Sequence, residues 1–490
     1  MNIQQSIYHL LKEEIGPSLI TRSAYDTAWV ARLGELDEPI GEQALEWLRA
    51  HQLADGSWGA SEPRYYHDRL VCTLAAMTAL ARRKEAQDRT RLQRAQSAIE
   101  TIIKELRAAP AGETVGFEMI VPTLLAEAET LGVIQPSSDG ALDRLVRQRA
   151  AKLAALPGGM INRFVTAAFS AEMVGPDGLQ LLDVGNLQET NGSVVYSPAA
   201  TAFFALHVRR LDSAALEYLS RVAINGAVPY VAPIEIFEHA WPLWNLTLAN
   251  PLDGETLALC QPHLDFLETA WKPGEGIASA DGLTLLDGDD TGLTYEVLAR
   301  FGRSTDLEGV LYYEEDEHFR CYALEANPSV STNVHVLGAL RQAGLGVQHP
   351  SVQKILRFLQ RTQTTRLFWF DKWHASPYYP TCHAVIACAG YDDNLVDGAA
   401  HWILETQNTN GSWGYYMPTA EETAYCLQTL VIWRRHGGQV PGDVMKQGAV
   451  WLADRMEPPY PPLWIGKCLY CPVLVVRSAI LSALMLVAQE

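Results

Sequence analysis

The chain has 490 residues, of which 38 are Lys or Arg and 57 are Asp or Glu, a formal net charge of −19. An apolar share of 48% excludes a disordered chain, and the length calls for two domains or one large two-part architecture. The acidic balance argues against nucleic-acid binding and a polybasic membrane-surface role, but a few local Lys residues suffice for an anionic small molecule.

Met1-Asn2-Ile3-Gln4-Gln5 has no basic region followed by an apolar run, so it does not read as a signal peptide. Ala44-Leu45-Glu46-Trp47-Leu48 then leads to Gln52 and to Asp55-Gly56-Ser57-Trp58-Gly59. The unit recurs 355 residues later, where Ala399-Ala400-His401-Trp402-Ile403 leads to Gln407 and Asn410-Gly411-Ser412-Trp413-Gly414. Each copy reads as a helix, a Gln, a turn closed by Gly, and an exposed-edge Trp. The Gln amide is expected at the N-terminus of a neighbouring helix, with the Trp stacked over it. Two copies so far apart predict two similar helical barrels, one early and one late.

Between the copies the apolar period is helical. Leu70, Leu74, Met77 and Leu80 form one stripe, and Leu293, Val297, Leu298 and Phe301 another. Pro157-Gly158-Gly159, Gly175-Pro176-Asp177-Gly178 and Lys272-Pro273-Gly274 mark turns. The fold class is therefore all-α. Tyr391-Asp392-Asp393-Asn394 is expected to cap a surface helix. The eight Cys form no framework, and Cys468 and Cys471 lack partners for a zinc site, so a reduced, cytoplasmic protein is expected. Val473 to Val487, broken by Arg477 and Ser478, predicts a buried helix and no membrane span.

Asp287-Gly288-Asp289-Asp290-Thr291 opens the Leu293 stripe, at a helix N-terminus. An isolated cluster of this kind is ordinarily a cap. In a desolvated pocket, however, three such carboxyl groups cannot all ionise, and one stays protonated at neutral pH. That group can protonate a weak base, in the extreme an alkene. The resulting carbocation needs an apolar cavity with aromatic faces. Phe368, Trp369, Phe370, Trp373, Tyr378 and Tyr379 form an aromatic-dense segment that could supply them.

With the Gln-to-Gly-x-Trp repeats, Asp287-x-Asp289-Asp290 resembles the signature of class II, proton-initiated terpenoid cyclases. Ser23-Ala24-Tyr25-Asp26-Thr27-Ala28-Trp29, Val115-Gly116-Phe117-Glu118 with Pro122, Gly192-Ser193 with Tyr196-Ser197-Pro198, Ile236-Phe237-Glu238 and Asp371-Lys372-Trp373 extend the resemblance along the chain. These motifs are similar to those of diterpene cyclases more than squalene cyclases, and most to the bacterial branch that makes halimadienyl- or kolavenyl-type diphosphates. The resemblance implies two α/α barrels, β and γ, with γ inserted after the first β helix and the active site between them. It implies a β segment at 1–38, γ at 39–251, and the remainder of β, with the acidic motif, at 252–490.

It also implies roles. Asp289 would be the general acid, with Asp287 and Asp290 raising its pKa and relaying its proton, and Asn333 would hold it in the reactive geometry. Glu118 would bind Mg2+ with the diphosphate. Lys152 and Lys372 would contact the diphosphate, and Trp373 belongs to the Lys372 motif. Ser170 and Tyr230 occupy the positions of the His–Asn pair that positions the deprotonating water in plant ent-copalyl enzymes. That departure favours a rearranged halimadane or clerodane skeleton.

The substrate implied is geranylgeranyl diphosphate. No class I motif is present, so the diphosphate is retained, and a downstream class I terpene synthase or phosphatase would use the product. An unrearranged copalyl-type product, a drimane-type product from farnesyl diphosphate, a zinc-dependent prenyltransferase-like barrel and a non-catalytic helical scaffold are the competing expectations.

Overall fold

The computed structural model describes residues 3–16, 19–106, 112–135, 142–325 and 327–490. After α1 (Ile3–His9) come α2 (Ala24–Ala31), α3 (Tyr66–Arg83), α4 (Phe117–Thr130) and α5 (Pro198–Phe203). Helix α2 packs on α3 and α3 on α4. The 3-10 segment Thr166–Val174 joins α4 to α5, and α5 returns to α2, closing a small ring. Pro39–Ala50, Arg89–Leu106 and Asp143–Ala155 lie against its helices.

A larger ring follows. It comprises α6 (Glu235–Leu248), α7 (Gly288–Arg300), α8 (Val330–Gln342), α9 (Tyr378–Cys388), α10 (Ala420–Arg435) and α11 (Val473–Ala488). Each packs on the next, and α11 closes on α6. Gly254–Ala270, Pro350–Thr362, Asp393–Glu405 and Gly442–Ala453 form the outer layer, and α1 packs on α11. The small ring is thus an insertion between α1 and the rest of the larger barrel.

The sequence-based boundaries differ from this connectivity at both ends. Helix α2 belongs to the small ring although it precedes residue 39, and α6 belongs to the large ring although it precedes residue 252. Inner helices of both rings share one apolar period, so periodicity does not say which ring a helix joins.

Five of the inner helices start on side-chain caps. Ser23, Ser197, Asp287, Ser329 and Thr419 each accept a backbone N–H from the first turn of their helix. Ser23 also donates to Asp26 (2.6 Å) and Thr419 to Glu422 (2.6 Å), which ties the helix starts reciprocally. The Leu70 and Leu293 stripes fill the two cores. Around Leu156–Leu187 helical order gives way to short 3-10 turns, where Pro157, Gly158, Gly159, Gly175 and Pro176 interrupt the period. No helix among the described residues is long and apolar enough to cross a membrane; Val473–Ala488 is the buried helix α11.

The repeats staple helices, the Gln amides at the N-terminus of a neighbouring helix as expected and the Trp rings differing from expectation. Trp58 and Trp413 are buried, not edge-exposed, and each donates its indole N–H to the preceding helix, at Leu48 O and Ile403 O. Gln52 and Gln407 each donate to the carbonyl of their own turn and to one in the next helix, Arg91 O and Val444 O, at 2.9 Å. Trp369 repeats the indole bond to Leu359 O (2.8 Å), and Gln188 repeats the Gln bond to Gly192 O (3.1 Å).

Candidate active site

Asp287 is the N-cap of α7 and accepts Asp290 N–H at 2.7 Å. Gly288 follows because a Cβ there would sit 2.4 Å from Arg320 O. Asp289 and Asp290 thus occupy the first turn, at the positive end of the helix dipole. All three are buried. Burial pushes Asp287 up from the ordinary carboxylate range, with the charge of Asp289 adding to it. Asp290 is raised further, by burial and then by Asp287 beside it, and its Oδ1 has no hydrogen-bond partner. The cluster therefore keeps a proton at neutral pH.

Asp289 Oδ1 stands 2.5 Å from His335 Nδ1. Ser331 Oγ, one turn earlier on α8, lies 3.3 Å from Asp289 Oδ2 and 3.2 Å from Asp371 Oδ2. Asp371 Oδ1 accepts Val330 N–H at 2.7 Å, so the Asp371-Lys372-Trp373 motif caps the helix that carries His335. His335 Nε2 stands 2.9 Å from His383 Nδ1.

Asn333 is elsewhere, which corrects the sequence expectation. Its Oδ1 accepts Phe319 N–H at 2.8 Å, and its Nδ2 donates to Phe319 O and Ser329 O. All its hydrogen-bonding groups serve the loop before α8. Residues two apart on a helix point in different directions, so Asn333 and His335 cannot share a face.

Aromatic rings lead away from Asp289 and His335. Trp241 lies edge-on to His335 (5.4 Å between centroids), and Tyr379 packs on Trp464 at 4.8 Å. Trp464 reaches Tyr470 and Tyr470 reaches Tyr230. Trp464 and Tyr470 belong to the hairpin Trp464–Tyr470, which spans from the acid to the small ring. Gly466 lies flat on Tyr230, where a Cβ would come within 2.8 Å of the ring. Burial holds the Tyr230 phenol above its ordinary range.

Lys467, on the same hairpin, is fully buried, and the sequence reading missed it. It donates to Glu172 Oε1, Ser197 Oγ and Phe169 O, each at 2.8 Å, with Asp26 Oδ1 at 3.7 Å. Ser170 is thus next to a carbonyl bound by Lys467, and its Oγ would be 3.5 Å from a Cβ on Gly116, at the start of α4. Ser170 and Tyr230 therefore flank the same hairpin.

The remaining expected contacts form two separate ion pairs. Lys152 Nζ holds Glu118 Oε1 at 2.5 Å. Lys372 Nζ holds Glu325 Oε2 at 2.5 Å, donates to Asn327 O, and lies over the Trp373 ring. No hydrogen bond or ion pair among the described residues joins the two pairs. Glu118 is one partly exposed carboxylate. That suits Mg2+ arriving with a diphosphate, which supplies the other oxygens, better than a cage of protein ligands.

Asp68, Cys72 and Cys468 come together at the small ring, with ligand atoms within 4.8 Å of one another. Ala60 N–H and Leu469 N–H already occupy both Asp68 oxygens at 2.8 Å, so this cluster does not make a zinc site. Asp392 and Asp393 stand at the start of the outer helix Asp393–Glu405, but Asp392 makes no side-chain cap and Asp393 Oδ1 accepts Gly390 N–H at 2.7 Å.

Residues 320–432 match the squalene-hopene cyclase C-terminal domain. The chain is 47% identical to a type B diterpene cyclase of Mycobacterium tuberculosis over 96% of both chains. It is 31% identical to an ent-copalyl diphosphate synthase of a Streptomyces species over 90% of this chain and 88% of that one. The solved structure of ent-copalyl diphosphate synthase from Streptomyces platensis superposes with a TM-score of 0.80, at 32% identity and covering 100% of each chain.

Proposed function

From the premise that the chain belongs to the class II, proton-initiated diterpene cyclases, we propose that it converts geranylgeranyl diphosphate to a rearranged bicyclic diphosphate of halimadane or clerodane type. The observation that carries the reading is the Asp289–His335 pair at the head of the aromatic string.

Asp289 gives its proton to the terminal alkene. Asp287 and Asp290, which resist ionisation, keep the proton of the cluster beside the reacting alkene. His335, not Asn333, orients the acid, and Ser331 holds its second oxygen. As the rings close, positive charge passes along faces such as Trp241, Tyr379 and Trp464, which stabilise it without offering a nucleophile. The protein binds the diphosphate and leaves its C–O bond intact.

Termination decides the skeleton. Ser170 is a poor base, and the Tyr230 phenol is held protonated by burial. A cation not quenched there undergoes hydride and methyl shifts before losing a proton elsewhere. Lys152 and Glu118 form the diphosphate end. Glu118 would hold Mg2+ arriving with the substrate, where the metal would offset the diphosphate charge, and Lys372 adds a second cation. The retained diphosphate makes the product a substrate for a class I terpene synthase or a phosphatase.

The test is incubation with geranylgeranyl diphosphate and Mg2+, then phosphatase treatment and gas chromatography–mass spectrometry. A halimadane or clerodane alcohol seen only after phosphatase supports the reading. A labdane alcohol alone would overturn the rearrangement, and recovery of geranylgeraniol alone would overturn the substrate.

A further inference from the structure

Behind the aromatic faces that carry the positive charge in the function proposed above lies a buried acid with no part in that chemistry so far. Glu421 stands in the first turn of α10 and is 1% exposed. Its Oε1 accepts Trp464 Nε1–H at 2.8 Å and the Tyr425 hydroxyl at 3.1 Å, and lies 3.2 Å from His374 Nε2. Its Oε2 is buried without a hydrogen-bond partner. An acid proton on Oε2 would have no acceptor, whereas donors gathered on the other oxygen suit a carboxylate.

Glu422 shows what an ordinary carboxylate does at this helix start. It accepts the Thr419 hydroxyl at 2.6 Å and Tyr415 N–H at 2.8 Å, and so closes the turn that leads into α10. Glu421 accepts no backbone N–H. Among the described residues its ion-pair partner is His374, with no Lys or Arg. The positive end of α10 helps it to stay charged, but that alone does not require burial beneath aromatic rings.

Those rings are the ones assigned to the cation. His374 stacks on Tyr379, with centroids 4.9 Å and planes 19° apart, and meets Trp464 edge-on at 5.5 Å. Phe237 meets Trp464 edge-on at 5.4 Å and packs on Trp241 at 4.2 Å. Glu421 is thus bonded to the edge of Trp464 and, through His374, set behind Tyr379. An N–H that donates to an anion leaves its ring richer in electrons, which strengthens the pull of the ring face on a cation. The anion adds its own attraction, which a dry core screens little.

We propose that Glu421 is a countercharge for the carbocation and acts through Trp464 and His374. Once its proton has gone, Asp289 is a carboxylate that holds the cation close to the acid. A second anion beyond Trp464 draws the charge onward along the aromatic wall, where the rearrangement needs it. Glu421 forms no bond to the substrate; it is a positioning residue. The inference rests on the route of the charge proposed above.

The experiment is calorimetric binding to the full chain of two unreactive analogues of geranylgeranyl diphosphate, both with the terminal alkene saturated. One is otherwise unchanged. The other has a protonated amine nitrogen in place of the branched carbon that carries the charge once two rings have closed. Glu421→Gln keeps an acceptor for Trp464 and removes the charge. It should weaken the amine analogue by about tenfold or more, while the neutral one stays within about twofold of wild type. With geranylgeranyl diphosphate itself, kcat should fall by about tenfold at unchanged KM. An equal effect on both analogues overturns the countercharge and leaves Glu421 a prop for the rings. Tyr425→Phe decides the matter if Glu421→Gln fails to fold. It removes one donor that offsets the carboxylate, so preference for the amine analogue over the neutral one should rise by about two- to threefold. An unchanged or lower preference there overturns the inference. If wild type leaves geranylgeranyl diphosphate uncyclised, the proposed function itself fails, whatever the analogues do.

Discussion

His335 Nδ1 lies 2.5 Å from Asp289 Oδ1, the place at the acid expected for Asn333. The two residues should therefore fail in different ways. His335→Phe should lower kcat by about 100-fold or more, with the fold intact, because the acid loses its orienting partner. Asn333→Ala should instead cost about 1–3 kcal/mol of stability, since it orphans Phe319 N–H and two carbonyls. Its folded fraction should keep kcat within about tenfold. Thermal melts with single-turnover rates on the same preparations separate the two outcomes.

Asp289 and Asp290 are neighbours with opposite expectations. Asp290 is held protonated by burial, so Asp290→Asn keeps its charge state. A loss of under about tenfold in kcat is expected, against about 1000-fold or more for Asp289→Asn. The pH profile adds a signed check. The folded-state pKa of Asp290 is raised, so its contribution is present at low pH and lost as pH rises through that value. Asp290→Asn should therefore soften the alkaline fall in stability. A variant whose alkaline limb matches wild type would contradict a protonated Asp290.

The acidic cluster was legible because its three carboxylates fall within four residues and open an apolar helix. Its partner was not. Ser331, Asn333 and His335 stand in one short run, and spacing says that Ser331 and His335 share a face but not which face meets α7. The two barrels were legible from the Gln–Trp units, whose bonds are local. The ring closures were not, because the contacts of α2 and α6 are long-range. Lys467 gave no signal at all: its three partners, Phe169, Glu172 and Ser197, lie more than 250 positions away.

That buried Lys467 locks the hairpin to the small ring. Lys467→Met should cost about 3–5 kcal/mol, because Glu172 and Asp26 are left buried without their cation. Adding Glu172→Gln should recover part of the loss by removing the stranded charge. A double variant less stable than the single one would show that the lysine matters for packing and not for charge. Denaturant unfolding of all three proteins decides it.

Glu118 and Lys152 neutralise each other in the free protein. Binding a diphosphate with Mg2+ must divide them, the cation to the phosphates and the carboxylate to the metal. Glu118→Gln should raise KM for the substrate about tenfold at low Mg2+ while kcat changes little, since uniform binding is what is lost. Lys152→Gln should raise KM at every Mg2+ concentration. If KM in Glu118→Gln shows the wild-type dependence on Mg2+, the metal is bound elsewhere.

His67 provides a pH effect outside the chemistry. It is buried against Phe117, with ring centroids 4.8 Å apart, and its Nδ1 has no partner. Burial lowers its pKa from 6.5 to about 4. Between those values the unfolded chain binds a proton that the folded one refuses, so stability is present above pH 6.5 and lost as pH falls toward 4. Asp26 works in the opposite direction: burial raises it to about 6, so it favours the folded state on acidification. The slope of the whole protein therefore mixes the two, and only a difference between variants isolates His67. His67→Phe removes the titration and keeps the ring contact. Relative to wild type, it should gain about 2 kcal/mol on going from pH 7.5 to pH 5, the value that 1.5 units of linkage gives. A wild-type-to-variant difference that stays flat across that range would mean that His67 finds a partner for its proton in the folded protein.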